Sequence, residues 1–230
     1  GSEYQSILRK GFKQDRWVDR FENKNKRSGA YSSGCFDSFP YILMNFQGTL
    51  RDVMTLAHEA GHSMHSYYSN QNQPYQYSHY PIFVAEVAST FNEELVFRRL
   101  LEKAKSKEER CYLLNQKIDD IRSTLFRQTQ FAEFELTLHT LAEKGIPLTA
   151  TSLKAAYRKL NQDYYGPDLF IDPEIDVEFL RIPHFYYNFY VYQYATGISA
   201  AFALVERMMQ EGEAAKKDYL QFLSSGSSRY

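Results

Sequence analysis

From Thr49 onward the chain changes rhythm. Leu50, Val53, Met54, Ala57, Gly61, Met64 and Tyr68 recur at intervals of three and four residues, the spacing that lines one face of a 3.6-residue helix. Thr49 ahead of Asp52 is the T-x-x-D pattern of a capped helix start, so an amphipathic helix of about five turns is predicted to open there. Before it, "GAYSSG" and "YILMNFQG" flank "CFDSFP" and read as two short strands around a proline-containing connection. "RWVDRFENKNK" fits a helix end or a strand equally well.

Past the first long helix, "NQNQPYQYSHYP" is a polar, proline-bounded loop, and a second helix is predicted from about Ile82 to Lys105. "EERCYLLNQKIDDIRSTLFRQTQFAEFELTLHTLAEKG" keeps helical periodicity for many turns and stops at Gly145, ahead of Pro147. Thr149 to about Tyr165 reads as another helix, and "GPDLFIDPEID" as a loop. "VEFLRIPHFYYNFYVYQYATGISAAFALVERMMQEG" reads as a long aromatic-rich helical stretch interrupted near Pro183. The fold class is therefore mainly α, with a small β element before the first long helix and no repeat or low-complexity tract.

Composition narrows the function classes. With 230 residues, 43% apolar and 24% charged, the chain can bury one substantial core or two lobes. A net charge of −1 with interspersed signs lacks the footprint of a nucleic-acid binder. No apolar run approaches the roughly 20 residues of a membrane span, and no signal pattern opens the chain. The expectation is a soluble, cytoplasmic protein with neither nucleic-acid nor membrane partners. Cys35 and Cys111 lack metal-ligand spacing and are expected to be buried or partly buried free thiols. Nineteen Tyr against one Trp suggest a polar cleft lined by phenols.

The candidate chemistry lies in "TLAHEAGHSMHSYY". His58-Glu59-Ala60-Gly61-His62 matches H-E-x-x-H, which on a helix puts two imidazoles one turn apart on one face, able to meet a single Zn²⁺. Glu59 falls about 100° round the helix, where it can touch a metal-held water without ligating the metal, as a general base must. The alternative is two helix-surface histidines with a solvated glutamate between them. Gly61 favours the metal reading: Gly inside a helix costs about 1 kcal/mol, a cost that a close approach by another backbone or a substrate would justify.

Two residues compete to be the third ligand. His65 shares the histidine face but lies about 10 Å along the axis from His58, and zincins with a nearby third His break the helix with a Gly where this chain has His65. A structural role for His65 is expected. Glu86 is 28 residues after His58, in "FVAEVASTFNEE". A carboxylate among Phe83, Val84, Ala85, Val87 and Ala88 is costly to bury unless paired or metal-bound. Exposure at a helix N-terminus is the other reading of Glu86. Ser89 and Glu93 share its face and would suit hydrogen bonds to the ligand histidines.

"RFENKNKRSGAYSSG", "PYILMNFQGTLRDVMTLAHEAGHSMHSYYS", "FVAEVASTFNE" and "HFYYNFYVYQYATG", with the closing "YLQFLSSGSSRY", together resemble the C-terminal catalytic part of the oligoendopeptidase F group of thimet-type zinc oligopeptidases. The resemblance implies a mostly helical, zincin-like peptidase with one zinc at the floor of a deep channel, cleaving short oligopeptides. His58, His62 and Glu86 then correspond to the zinc ligands and Glu59 to the catalytic carboxylate. It also implies that a late His and Tyr side chains hold the substrate and stabilise the oxyanion. The matching residues are His184, Tyr187, Tyr190 and Tyr194, on one face if the stretch is helical, with Tyr186 or Tyr192 as replacements if the register differs. Without the family, the same aromatic stripe reads as core packing. Gly29–Gly34 and Tyr41–Phe46 could supply a strand edge that pairs with an extended peptide.

The expectation is a zinc metalloendopeptidase. A carboxypeptidase or dipeptidyl carboxypeptidase of the same ligand class, and a non-catalytic helical binding module, are the rivals. Gly1-Ser2 looks like an expression scar, and residues 3–230 read as one catalytic domain cut from a longer chain, whose missing N-terminal region would be its partner.

Overall fold

The structure, a computed structural model, describes residues 1–228. Its chain divides into two compact units, Gly1–Leu113 with Gly197–Tyr230, and Leu114–Thr196.

In the first unit α1 (Ser2–Lys13) leads to a three-stranded sheet of β1 (Val18–Asp19), β2 (Tyr31–Ser33) and β3 (Tyr41–Leu43), in the order β1-β3-β2. β1 runs parallel to β3 with Val18 opposite Ile42, and β2 runs antiparallel with Tyr31 opposite Leu43. The ambiguous "RWVDRF" segment is thus a two-residue strand, fixed beside the buried Trp17. α2 (Leu50–Asn72), the short α3 (Tyr75–Ser78) and α4 (Ile82–Lys103) follow. The N-terminus of α2 is a capping box: the Thr49 hydroxyl accepts the Asp52 N–H at 3.2 Å, and the Asp52 carboxylate accepts the Thr49 N–H at 2.9 Å. This satisfies two of the donors that a helix start leaves open.

α2 and α4 pack through Met64, Tyr68, Ala88 and Phe91. Trp17 joins them from the β1 side, and Ala201, Val205, Tyr219 and Leu223 come from α8 (Tyr192–Glu211) and α9 (Glu213–Leu223). Ile42, Met44 and Ala60 form a smaller cluster where the sheet meets α2. β2 is tied to α2 by the hydroxyls of Ser32 and Ser63, 2.8 Å apart. This sheet-on-helix arrangement holds β2 over the middle of α2.

In the second unit the continuous helical pattern is divided. α5 (Lys107–Ile121), which enters this unit at Leu114, and α6 (Arg127–Glu143) are joined by one π-helical turn, Arg122–Phe126, the usual form of an extra residue in a helix. α7 (Ala150–Tyr165) follows. Phe131, Phe134, Tyr157, Leu160, Ile182 and Val191 form the core. The expected loop after Gly166 contains a 3₁₀ segment, Pro173–Arg181. Glu178 in that segment accepts from Tyr157 Oη at 2.8 Å and pairs with Arg127.

Candidate metal centre

The H-E-x-x-H residues fall in the buried middle of α2, where Glu59, Ala60, Gly61, Ser63, Met64 and His65 are all buried. Gly61 is what allows α4 to come close. A Cβ there would meet the Ala88 carbonyl oxygen at 2.5 Å and the Ser89 Cα at 2.6 Å. The backbone of α4 therefore occupies the space of the missing side chain, and Glu86, one turn earlier on α4, is brought beside the two histidines.

The geometry is that of a closed triangle of donors. His58 Nε2 is 3.2 Å from His62 Nε2. Glu86 Oε2 is 3.4 Å from the first and 3.8 Å from the second. A tetrahedral ion with bonds of about 2.0–2.1 Å separates its ligand atoms by about 3.3 Å, so the three atoms fit one such ion with one position left open. Among the described residues this is a group of His and carboxylate side chains able to hold a metal. Glu86 is neither exposed nor solitary: Ser89 Oγ donates to its Oε2 at 3.1 Å.

Each imidazole is oriented from behind. The other ring nitrogen of His58, Nδ1, bonds to Glu93 Oε1, and His62 donates to the Ala85 backbone. Such contacts fix each ring with its Nε2 turned toward the other two donor atoms. Ser89, expected to reach a histidine, bonds instead to Glu86, because both lie on the same turn of α4.

Charge in the site is unbalanced. Burial alone would depress the His58 pKa, but the Glu93 hydrogen bond and the charges of Glu93, Glu86 and Glu59 outweigh it and raise the pKa to about 9. Burial, then repulsion from His58 and His65, lowers that of His62 to about 3. Three carboxylates around two imidazoles draw in positive charge, which suits a divalent cation. Burial also raises the pKa of Glu59, against the opposing charge of His58. The Glu59 carboxylate accepts the backbone N–H of Ser32 on β2, and it is not one of the three converging ligand atoms.

His65 does not join the site. Its ring is buried and stacks on Tyr80 at 3.6 Å between centroids, with a 9° interplanar angle. Its Nδ1 has no hydrogen-bond partner, and burial lowers its pKa to about 3. Tyr80 Oη in turn lies 2.7 Å from Ser66 Oγ and donates to the His62 carbonyl at 3.3 Å. Neither Tyr80 nor the Ser32 N–H carries a sequence signal: one lies in a polar loop and the other is backbone.

The late aromatic residues belong to the second unit, where they are described by themselves. The condition for a shared face, that the stretch be helical, is not met. Pro183–Tyr186 is 3₁₀, Phe189 adopts a left-handed φ of 56°, and α8 begins only at Tyr192. Pro183 lacks the N–H that an α-helix would need there. The turn nevertheless gathers most of the expected side chains. The Tyr190 ring lies 5.5 Å from His184, 6.1 Å from Tyr187 and 5.6 Å from Tyr194. Tyr194 Oη is 3.5 Å from Tyr190 Oη. Tyr186 and Tyr192 are exposed. Cys35 and Cys111 are also exposed, contrary to expectation: one lies in the β2–β3 connection and the other among charged residues at the start of α5.

The chain is similar to known proteins over its whole length. The family model "Peptidase family M3" matches residues 1–230. Oligopeptidase PepF of Bacillus subtilis (strain 168) is 53% identical over all of this chain, which spans 34% of that relative. The chromosomal oligoendopeptidase F of Lactococcus lactis subsp. cremoris is 48% identical, with 38% of its length spanned. A crystal structure from Chlamydophila abortus matches 99% of this chain and 38% of its own, at TM-score 0.89 and 52% identity. That of oligoendopeptidase-F from Enterococcus faecium matches 79% and 32%, at TM-score 0.69 and 49% identity. The chain thus spans a third to two-fifths of the curated relatives it matches. It belongs to peptidase family M3.

Proposed function

We propose that the chain carries the catalytic centre of a zinc endopeptidase that hydrolyses oligopeptides. The observation that carries the reading is the convergence of His58 Nε2, His62 Nε2 and Glu86 Oε2 within 4.8 Å of one another, with Glu59 beside them but outside the ligand set. Zinc held by these three residues supplies Lewis acidity, which makes water a stronger acid and a peptide carbonyl a better electrophile. Glu59 takes the proton of the attacking water as its oxygen bonds to the scissile carbonyl carbon. It delivers that proton to the nitrogen as the C–N bond breaks, leaving an amine and a carboxylic acid, whose proton is the second one of the water and passes on to the amine. Glu93 and the Ala85 backbone keep the two imidazoles aimed, and the Ser32 N–H keeps the Glu59 carboxylate in place.

His184, Tyr187, Tyr190 and Tyr194 are proposed to hold the substrate and to donate to the carbonyl oxygen as it gains charge. β2 is an edge strand of its sheet, which suits backbone pairing with an extended peptide and weak side-chain selectivity. Two unpaired cysteines fit a cytoplasmic setting, and no described helix is long and apolar enough to cross a membrane. The relatives' remaining sequence, on the N-terminal side in our reading, would complete the substrate channel.

The test combines metal analysis with cleavage of a peptide blocked at both ends. One zinc per chain is expected, and Glu59→Gln should retain it while turnover falls about 10²–10⁴-fold. An end-blocked peptide should be cut internally; a requirement for a free terminus would instead assign an exopeptidase. A Glu59→Gln variant within a few-fold of the parent would overturn the assigned role.

A further inference from the structure

The His184–Tyr194 cluster depends on one irregular residue. Between the 3₁₀ turn at Pro183–Tyr186 and the start of α8, Phe189 holds a φ of 56°, a region that bulky L-residues avoid. Tyr190, the next residue, is the hub against which His184, Tyr187 and Tyr194 are all arranged. The direction in which Tyr190 leaves the backbone is therefore set by a conformation that Phe189 does not favour by itself.

A buried carboxylate lies against that residue. The Phe189 N–H donates to Glu135 Oε1 at 2.7 Å, a short bond of the charge-assisted kind. Glu135 belongs to α6 and is only 3% exposed, one helical turn from the core residue Phe131 and next to Phe134. One turn further along the same helix, the His139 ring packs 4.5 Å from the Phe189 ring. A carboxylate in such a place is costly unless it makes a strong hydrogen bond, and its position on α6 does not depend on the loop.

We propose that Glu135 is a positioning residue: it clamps the left-handed turn at Phe189 and so fixes Tyr190 against His184 and Tyr194. His139 supports the clamp from the side. The proposal rests on the reading of this tyrosine segment as the part that handles substrate. It assigns Glu135 no contact with substrate or metal.

The experiment uses the zinc-loaded protein with Glu135→Ala, Glu135→Gln, and Glu135→Ala combined with Phe189→Gly. Gln keeps an oxygen acceptor at the same place, and Gly adopts a left-handed φ without a clamp. Glu135→Ala should lower kcat about 10–100-fold, as for a displaced catalytic constellation, with a smaller change in KM and unchanged zinc content. It should also alter the near-ultraviolet circular dichroism of the tyrosines. Glu135→Gln and the double variant should each recover most of the signal and the rate. In the unaltered protein the Phe189 amide should exchange slowly with solvent, a measurement that stands even if the Ala variant does not fold. Rapid exchange of that amide, or an Ala variant with unchanged tyrosine dichroism and rate, would overturn the clamp. Failure of the underlying reading looks different: Tyr190→Phe and Tyr194→Phe would keep full kcat while the Phe189 amide stayed protected.

Discussion

Substituting Gly61 by Ala should open the metal centre without touching a ligand. The added Cβ would lie 2.5 Å from the Ala88 oxygen, 2.6 Å from the Ser89 Cα and 2.9 Å from the Ala88 carbonyl carbon. All three are backbone atoms of α4, so no side chain can rotate away. Restoring a tolerable contact of about 3.4 Å requires α2 and α4 to separate by roughly 0.8–0.9 Å. Glu86 lies on the displaced part of α4, and metal-ligand distances tolerate only about ±0.2 Å. Overpacking of this kind costs about 1–3 kcal/mol, and the higher helix propensity of Ala returns about 1 kcal/mol of it. The net loss of stability is therefore small, while zinc affinity should fall by at least the 10–100-fold seen when ligand orientation is disturbed.

Chelator competition measures the affinity, and far-ultraviolet circular dichroism checks that the helices persist. Gly197→Ala is a graded comparison: its Cβ would meet the Glu86 Cβ at 3.1 Å, a contact relieved by a few tenths of an ångström, so a smaller loss is expected. A Gly61→Ala protein that binds zinc as tightly as its parent would refute the claim that the α2–α4 approach sets the ligand geometry.

Three further outcomes can be measured. Glu86→Ala should greatly weaken zinc retention, whereas His65→Ala should leave stoichiometry near one and cost about 2–4 kcal/mol of stability through the lost stack on Tyr80. His65→Phe should cost less than about 1 kcal/mol, since Nδ1 leaves no hydrogen bond behind; a large loss in chemical denaturation would reveal a polar role for the ring. Hydrogen bonds from the Thr49 backbone and hydroxyl, then from Gln47 and Gly48, hold the Asp52 carboxyl below its usual value. Because the folded-state pKa is the lower one, this cap contributes fully above the unfolded-state carboxylate range and is lost as pH falls through the folded value. The melting temperature of Asp52→Asn should therefore converge with that of the parent in acid, and a gap that persists there would refute the linkage.

What could be read from the sequence follows from how local each interaction is. His58 and His62 are one turn apart, so spacing alone places their rings together, and the Thr49–Asp52 cap is equally local. Glu86 was approachable because a carboxylate in an apolar run needs a reason, and Gly61 because an interior glycine does. Phe189 gives no such warning: nothing in an aromatic run distinguishes a left-handed phenylalanine from a helical one, so the sequence marks the interruption near Pro183 but not the turn at Phe189. Its anchor could have been noticed, since Glu135 falls four residues after Phe131 on the apolar face of α6. The two cysteines differ from expectation for the opposite reason: their residue type suggests burial, while their charged or loop neighbours decide exposure.

Zinc should also act as a staple between α2 and α4. The three proposed ligands come from two helices of one unit, and an unfolded chain does not hold them within a few ångströms. Binding is therefore linked to folding: free zinc at 100 times its dissociation constant adds about 2.7 kcal/mol to the stability of the state that binds it. The excess of carboxylates that raises His58 to about 9 also means that a bound cation would relieve repulsion among Glu59, Glu86 and Glu93. Stabilisation should therefore concentrate where those side chains are anchored. Hydrogen exchange with and without a chelator measures this by segment. Amides in the middle of α2 and the first half of α4 should gain protection on zinc binding, and Glu86→Ala should abolish the gain. If protection rises elsewhere but not on these two helices, zinc is bound at a different place and the assignment of His58, His62 and Glu86 fails.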